Sequence, residues 1–266
     1  MAAGPAALVC ILTFTGRGER IDAFRRGAGA AAASWLSTLD YRAARRARDL
    51  PGGTYVFADL ERLNPDAAFH AGSLHRRLSA RPDVHCINDP IRSRRRFELL
   101  RLLHARGLNP VDVWRVEDRR TPPRWPVFVR GEEEPLRAAG PLIRSSAELS
   151  LAITRLDVAG MFRPNLLLVE RPADLPGPER SVGILRIGER MVGDAAPGAG
   201  LLADPAIRAR LWAVFQVARI AYGRLSVAVD RDRMVVWDSG THPDLAAPGL
   251  EAGAVVAALA ALPGSG

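Results

Sequence analysis

Lysine is absent from this chain of 266 residues, so its 37 basic side chains are all arginine. The absence excludes a lysine Schiff-base enzyme, a lysine general base and a complete P-loop, because each depends on that amine. The arginines leave a formal net charge of +8 at pH 7. Together with the abundance of alanine, glycine and proline, the replacement of lysine favours a bias toward GC-rich codons, and selection for an anionic partner is the alternative.

Cysteine and histidine are also scarce, with two and five copies. Cys10 and Cys86 lie in apolar segments typical of strands, which favours buried free thiols over a disulfide or redox pair. His70 and His75 are five residues apart and would not share a helix face, which argues against a zinc site. This composition fits a reducing compartment, and the predicted location is cytoplasmic.

Long hydrophobic runs are missing. The first apolar run ends within about ten residues and no basic segment precedes it, so no signal peptide is predicted. Nothing approaches the roughly 20 apolar residues of a membrane-spanning helix. Aromatic residues form 6% of the chain and are scattered. An arginine-rich nucleic-acid binder therefore ranks last among the functions considered, because such proteins set stacking rings among their basic residues.

The first ninety residues alternate between strand and helix patterns. Strands are predicted at Ala7–Phe14, Thr54–Phe57 and Val84–Ile87, and helices from Gly18 through Leu36 and over Ala67–Leu78. Such alternation is typical of a parallel sheet with helices on its faces. Asn88-Asp89-Pro90 marks a boundary, so we predict an N-terminal α/β domain over residues 1–90 and a second domain over residues 91–266.

The second part of the chain predicts a mixed α+β arrangement. Helices are predicted over Arg94–Arg106, Ser146–Asp157, Asp204–Ile220 and Ala254–Leu262, and strands at PVFVR (Pro126–Arg130), NLLLVE (Asn165–Glu170) and VGILRIGERMVG. Near the end, alternating apolar residues at Leu225–Val229 and Met234–Trp237 flank an Asp-Arg-Asp turn. That pattern predicts a hairpin, followed by a polar loop at His242-Pro243.

This succession of elements, together with the segments PVFVR and WDSGTHP, resembles the ATP-grasp superfamily over most of the chain. The resemblance implies a parallel N-terminal α/β domain followed by an ATP-grasp-like nucleotide-binding domain. ATP-grasp enzymes are ligases that phosphorylate a carboxylate with ATP and let an amine displace the acyl phosphate. The implied cofactors are ATP and Mg²⁺, and the implied partner is a small carboxylate or amine substrate.

The metal-binding part of the resembled motif is eroded. ATP-grasp hairpins carry an acidic residue on one strand and a Glu-x-Asn pair on the next, and those positions fall on Ser226, Asp238 and Gly240. Mg²⁺ takes hard oxygen ligands at about 2.0–2.1 Å, usually carboxylates and phosphates. Asp238 is therefore the one metal ligand that the resemblance leaves. Weak or absent turnover is expected, and a non-catalytic relative that acts as a binding or regulatory partner is the alternative.

Two arginines stand near the positions where ATP-grasp enzymes place phosphate-binding lysines. Arg130 ends the PVFVR strand, and Arg95 or Arg96 is the nearest counterpart of the second lysine. A guanidinium can bind phosphate through two parallel hydrogen bonds. We predict Arg96 and Arg130 as phosphate contacts. The alternatives are a solvated helix face for Arg94–Arg96 and an ordinary strand-end charge for Arg130.

Glu170 and Arg186 complete the predicted nucleotide contacts. Glu170 follows four apolar residues in the segment that resembles the adenine-binding connection, and a carboxylate can accept two hydrogen bonds from a ribose diol. A surface acid or a partner of Arg171 is the alternative. Arg186, in ILRIG, is a candidate for phosphate or substrate contact, with a charged edge-strand position as the alternative.

An acidic run and a glycine-containing turn are two further motifs with weaker signals. The acidic run Glu132–Glu134 follows Arg130, and such a run either binds metal, serves as acid and base, or is a solvated loop. Gly16-Arg17-Gly18 follows a strand and opens a helix, which is the setting of a phosphate-binding turn. Ile21 occupies the place of the third glycine in a dinucleotide fingerprint.

Overall fold

The computed structural model describes residues 8–262 except 17, 30–33, 119–121, 123, 133–139, 161–164, 232, 243–244 and 246–249. The chain divides into two compact units. The first consists of Met1–Arg94, Gly183–Arg224 and Gly240–Gly266, and the second of Arg95–Val182 and Leu225–Ser239. The domain boundary after residue 90 stays a prediction.

A parallel sheet forms the centre of the first unit. Its strands are β1 (Val9–Thr13), β2 (Leu36–Asp40), β3 (Gly53–Phe57) and β4 (Val84–Ile87). They pair in the order β2-β1-β3-β4, with every neighbour parallel. Helices connect them: α1 (Gly18–Gly27), α2 (Tyr41–Arg46) and α3 (Pro65–Ser79). The predicted parallel α/β architecture is confirmed.

Period-two alternation explains why residues 9–12 of β1 are all apolar. Val9 and Ile11 pack into one hydrophobic cluster, whereas Cys10 and Leu12 pack into another. A parallel strand covered on both faces needs apolar residues at every position. Cys10 and Cys86 are free thiols, as predicted, and Cys10 is buried whereas Cys86 is half-buried. Burial raises the pKa of the Cys10 thiol to about 11.

The predicted helix from Gly18 through Leu36 is wrong at its end. Helix α1 ends at Gly27, and Leu36 begins strand β2. In β2 only Leu36 is fully buried, so the strand carries no continuous apolar run that would announce it. Asp40 then ends the strand and caps α2, because its carboxylate accepts a hydrogen bond from the Ala43 N–H at 2.8 Å.

Asn88 joins three segments of the first unit with its side chain. Nδ2 donates to the carbonyl oxygens of Phe57 (3.0 Å) and Tyr222 (2.7 Å). Oδ1 accepts from the backbone N–H groups of Ala221 (2.9 Å) and Tyr222 (3.1 Å). Its φ of 62° is a left-handed conformation that asparagine tolerates better than most residues. The end of β4 is thereby fixed to later segments of the same unit.

An antiparallel sheet forms the second unit. Its strands, in the order β5-β8-β6-β7, are β5 (Val113–Arg115), β6 (Val127–Gly131), β7 (Leu142–Ile143) and β8 (Leu166–Glu170). Helices α4 (Arg96–Ala105) and α5 (Ser146–Val158) belong to the same unit. Ser145 caps α5, since its hydroxyl accepts from the Glu148 N–H at 3.2 Å.

A third sheet has the strand order β10-β9-β11-β12. Its strands are β9 (Val182–Ile187), β10 (Arg190–Gly193), β11 (Tyr222–Asp230) and β12 (Arg233–Gly240). The remaining helices are α6 (Ala195–Ala203), α7 (Pro205–Ala218) and α8 (Ala252–Ala260). The predicted hairpin is present as β11 and β12, both longer than expected. Among the described residues, no helix has the length and hydrophobicity needed to cross a bilayer.

Candidate functional site

Three residues that the sequence analysis singled out meet in the second unit. Arg96 is the first residue of α4, Arg130 lies in β6, and Asp238 lies in β12. Arg96 Nε donates to Asp238 Oδ1 at 2.5 Å, and Arg130 Nη2 donates to Asp238 Oδ2 at 3.4 Å. One carboxylate therefore receives two guanidinium groups, one on each oxygen.

Both guanidinium groups are buried. Arg96 is 5% exposed and Arg130 is 2% exposed, whereas the Asp238 side chain is 14% exposed. The alternative of a solvated face is therefore wrong for Arg96. Arg130 is not an ordinary strand-end charge either, because it is buried and donates to Asp238. Burying a charge is costly unless it is paired and hydrogen-bonded. The shared carboxylate meets part of that requirement, and Arg130 Nη1 also donates to the Trp237 carbonyl at 3.3 Å.

Strand alternation directs Arg130 away from the hydrophobic core of its sheet. Val127 and Val129 pack into the cluster that contains Trp114. Phe128 and Arg130 occupy the intervening positions, so their side chains point to the opposite face. On that face the Phe128 and Trp237 rings lie with their centroids 6.2 Å apart. The apolar PVFVR pattern thus places one buried charge beside β12.

The backbone around Asp238 is fixed by neighbours that the sequence analysis did not identify. Asn109 Nδ2 donates to the Val236 carbonyl at 3.1 Å, and its Oδ1 accepts from the Val236 N–H at 3.0 Å. Trp237 Nε1 donates to the Pro176 carbonyl at 3.1 Å. The side chain of Asp238 therefore extends from a strand whose preceding two residues are held in place.

Glu132 orients the start of α4. Its Oε1 accepts from the Phe97 N–H at 3.3 Å, and its Oε2 pairs with Arg115 Nη2 at 3.1 Å. A carboxylate at a helix N-terminus is favourable because it meets unpaired N–H groups and the positive end of the helix dipole. At 8% exposure Glu132 is not part of a solvated loop. Glu133 and Glu134 lie outside the described residues.

The residues around Asp238 do not fit a magnesium site. Mg²⁺ needs oxygen lone pairs that point toward it, whereas Asp238 Oδ1 also accepts from the Ser239 N–H at 2.8 Å in addition to Arg96. Two cationic guanidinium groups beside the same carboxylate would repel a divalent cation. Ser226 offers only a hydroxyl. Within the described part of the chain, no three acidic, histidine or cysteine side chains cluster as metal ligands would.

Glu170 is 1% exposed at the end of β8 and has three donors. Arg124 holds both carboxylate oxygens, with Nε donating to Oε1 at 3.0 Å and Nη2 to Oε2. The Asp112 N–H donates to Oε2 at 3.1 Å. Arg171, the partner considered from the sequence, instead pairs with Glu179 at 2.7 Å. The ribose contact stays a prediction, and it would have to share the carboxylate with Arg124.

Arg186 belongs to the first unit, whereas the other predicted nucleotide contacts belong to the second. Its Nη1 donates to the Ile220 carbonyl at 2.9 Å and its Nε to the Gly188 carbonyl at 2.8 Å. The guanidinium carbon lies 4.3 Å from the centroid of the Trp212 ring. Burial lowers the pKa of this guanidinium. Because β9 lies between β10 and β11, the alternative of an edge-strand charge is wrong. The predicted phosphate contact stays a prediction.

The turn after β1 has the predicted local form. Gly16 has a φ of +82°, which favours glycine, and α1 begins at Gly18. After β3, the half-buried Glu61, which was not predicted as a site residue, fixes the segment after Gly240. Glu61 Oε2 accepts from the Thr241 N–H at 3.0 Å and from its hydroxyl at 2.9 Å. The Asp59 carboxylate accepts from the Phe14 N–H at 3.2 Å.

Comparison with solved structures identifies the fold. The chain is similar to D-alanine–D-alanine ligase from Helicobacter pylori, with a TM-score of 0.58 and 12% identity over 97% of this chain and 100% of that one. It is similar to a RimK domain ATP-grasp protein from Sphaerobacter thermophilus, with a TM-score of 0.57 and 15% identity over 95% and 99%. The ATP-grasp ligase PsnB, complexed with a variant of its minimal precursor, Mg and ADP, gives a TM-score of 0.56 and 11% identity over 98% and 99%.

No protein-family model and no curated protein sequence matches the chain. At these identities the structural likeness establishes the fold, which is the ATP-grasp fold. The architecture that PVFVR, the hairpin and the order of elements predict is thereby confirmed.

Proposed function

We propose that this chain, which has the ATP-grasp fold, is a nucleotide-binding protein of carboxylate–amine ligase ancestry. Its ATP-dependent acyl-phosphate chemistry is weak or lost. The observation that carries the proposal is the convergence of Arg96 and Arg130 on Asp238. These two buried guanidinium groups stand near the positions where the resembled superfamily binds phosphate with lysine, and they come together although they lie far apart in the sequence.

Arginine is suited to the binding part of this role. Its planar guanidinium presents parallel N–H donors that match the oxygens of a phosphate and keeps its charge at any physiological pH. In the proposed complex, Arg96 and Arg130 hold the phosphates of ATP or ADP. The residues that surround Asp238 argue against Mg²⁺ as a necessary part of that complex.

The same residues support weak or absent turnover. Phosphoryl and acyl transfer depend on charges that are already in place to stabilise the transition state. Ser226 and Gly240 stand at two of the resembled metal positions, and Asp238 is paired to cations. The described residues therefore provide phosphate-binding charges but no cluster of carboxylates that would ligate metal. A non-catalytic relative that acts as a binding or regulatory partner is the second candidate, and the paired Asp238 favours it.

The acceptor substrate is proposed only as a class, a small carboxylate or amine. Some of the similar structures contain ATP, or ADP with Mg and a precursor peptide. Those ligands belong to those proteins, and here they support nucleotide binding ahead of any particular acceptor. The composition is the basis for the predicted cytoplasmic location. It is also the reason why nucleic acid is not a favoured partner.

A thermal-shift titration with ATP and with ADP, each in Mg²⁺ and in EDTA, tests the proposal. A ligand at about 100 times its Kd stabilises the native state by roughly 2.7 kcal/mol, which raises Tm by a few degrees. We expect a shift that persists in EDTA. Arg130→Met should lose that shift, Arg130→Lys should keep part of it, and Arg92→Met, at a 72% exposed side chain, is the matched control.

Two results would contradict the proposal. If neither nucleotide raises the Tm of the folded protein, the proposal that the chain binds nucleotide is wrong. Magnesium-dependent ADP release that rises on addition of an amino acid or small carboxylate removes the claim that turnover is weak or lost, and it would mean that the metal is held by groups other than those described here.

A further inference from the structure

We propose that Asp238 is an internal counter-anion and not a metal ligand. It occupies the place between Arg96 and Arg130 that a nucleotide phosphate takes, so phosphate binding requires the carboxylate to leave. This proposal rests on the nucleotide binding proposed above, and it adds a mechanism that lowers the affinity for nucleotide. The wild-type protein is accordingly in a self-inhibited form, and its affinity for phosphate is lower than its two arginines alone would give.

The geometry of the three side chains supports the exchange. Each oxygen of Asp238 meets a different guanidinium, at 2.5 Å for Arg96 Nε and 3.4 Å for Arg130 Nη2. Two oxygens of one phosphate group can meet two guanidinium groups in the same way. A carboxylate and a phosphate therefore compete for the same donors.

The fit of Asp238 to these donors is incomplete. The contact to Arg130 is longer than the 2.7–3.2 Å typical of N–H···O hydrogen bonds. Arg96 Nη1 is buried and hydrogen-bonds to none of the described residues. A buried donor without an acceptor costs free energy that a suitable acceptor restores. A phosphate group, with three oxygens, can reach donors that a two-oxygen carboxylate leaves unused.

Asp238 is also the member of the trio that can move. Its side chain is 14% exposed, against 5% for Arg96 and 0% for Arg130. Asn109 and Trp237 fix the backbone that precedes it. Displacement therefore takes place by rotation of the carboxylate about its side-chain bonds toward solvent, which also breaks its hydrogen bond with the Ser239 N–H, while both arginines stay in place.

The counter-anion and metal-ligand roles predict opposite results for Asp238→Asn. If Asp238 ligates Mg²⁺, the amide variant loses magnesium-dependent binding of ATP. If Asp238 competes with phosphate, the variant binds more tightly because it lacks the competing charge. We expect the Kd for ATP in EDTA to fall by about tenfold, the effect of a hydrogen bond to a charged group, and the Kd for inorganic pyrophosphate to fall similarly.

Isothermal titration calorimetry of the full chain with ATP and with pyrophosphate, each in EDTA and in Mg²⁺, makes the measurement. Asp174→Asn is the matched control, because Asp174 is 73% exposed in the same unit and the substitution changes the net charge equally. Asp238→Ser repeats the comparison with a smaller neutral side chain. Circular dichroism and Tm establish that each variant is folded.

The outcomes separate the two proposals. Tighter binding in both Asp238 variants but not in Asp174→Asn supports the counter-anion. Equal or weaker binding in folded Asp238→Asn overturns it, while a wild-type protein that still binds ATP leaves the proposed function standing. Binding by neither the wild type nor the variants, in EDTA or in Mg²⁺, overturns the proposed function and the counter-anion together.

Discussion

The two units bury arginine in different ways. In the first unit Arg186 donates to the carbonyl oxygens of Ile220 and Gly188 and lies against the Trp212 ring. In the second unit Arg96 and Arg130 share the carboxylate of Asp238. Arg186 also pairs with the 89% exposed side chain of Glu189 at 3.5 Å. Backbone carbonyls cannot leave their guanidinium, whereas a side-chain carboxylate can rotate away. The carbonyls hold Arg186 within the fold, and the arrangement in the second unit is the one that we propose admits an incoming anion.

The contrast shows why residue type alone is a poor guide to phosphate binding. Arg96 and Arg130 are predicted phosphate contacts because they stand near the resembled lysine positions, and Arg186 in ILRIG is a candidate for phosphate or substrate contact. Their partners distinguish them. An arginine whose donors are taken up by carbonyls and rings has little to offer a ligand, even though it is as deeply buried as the other two.

The largest expected effect comes from Arg186→Met. The substitution leaves the Ile220 and Gly188 carbonyls without their donor and removes the ring contact, so we expect a loss of about 3 kcal/mol in the free energy of unfolding. Urea denaturation measures it, with Arg190→Met at an exposed position of β10 as the control. Unchanged stability together with a lost nucleotide shift would instead make Arg186 a ligand contact and remove the contrast.

A moderate effect is expected from Glu170→Gln. The amide keeps an acceptor for the Asp112 N–H but loses the charge that pairs with Arg124, whose side chain is 49% exposed. Solvent screening at such an exposed partner reduces the contribution of the ion pair to the free energy of unfolding, so we expect a destabilisation of about 1 kcal/mol. Glu179→Gln, at a 60% exposed partner of Arg171, is the control and should change stability less.

The same Glu170 variant tests the ribose contact. Binding of ATP and 2′-deoxy-ATP can be compared in the wild type and in Glu170→Gln. If the carboxylate serves only Arg124, the ratio of the two affinities is the same in both proteins. A ratio that changes on substitution would place Glu170 among the nucleotide contacts.

The smallest effect concerns His75, which is half-buried in α3. Burial lowers its pKa, although Asp89 opposes the shift. The unfolded state therefore binds more protons, so stability is full above the ordinary pKa near 6.5 and is lost as pH falls below it. Replacing His75 with Gln should flatten the fall in Tm between pH 7 and pH 5. His70→Gln, at an exposed residue of the same helix, is the control, and an equal flattening there would contradict the assignment.

The elements that could be predicted from the sequence are those in which a continuous apolar run indicates that the element is buried. VCILT in β1 and LLLVE in β8 are buried at every position, and both were located from their apolar runs. Strand β2 has one fully buried residue and was not predicted; its first residue, Leu36, was included at the end of the predicted helix. Helix α6, with a proline and two glycines in nine residues, has no helical pattern to find and was missed.

The site could be predicted only as a set of residues. The resemblance pointed to Arg96, Arg130 and Asp238, but their pairing joins positions 142 and 108 apart in sequence. No local pattern encodes such a contact. Glu132 shows the same limit, because an acidic run gives no sign that its first member is buried against Arg115 and the start of a helix.

Asn88 has a consequence for how this gene could be recombined. The side chain takes one partner from Phe57, which precedes it, and the others from Ala221 and Tyr222, more than 130 positions later. A coding segment transferred on its own up to residue 90 would carry the asparagine and leave those later partners behind. Exchange of residues 1–90 between genes would therefore have to include the segment with Ala221 and Tyr222 as well. This requirement favours variation of residues 1–90 by point substitution over their replacement as one block.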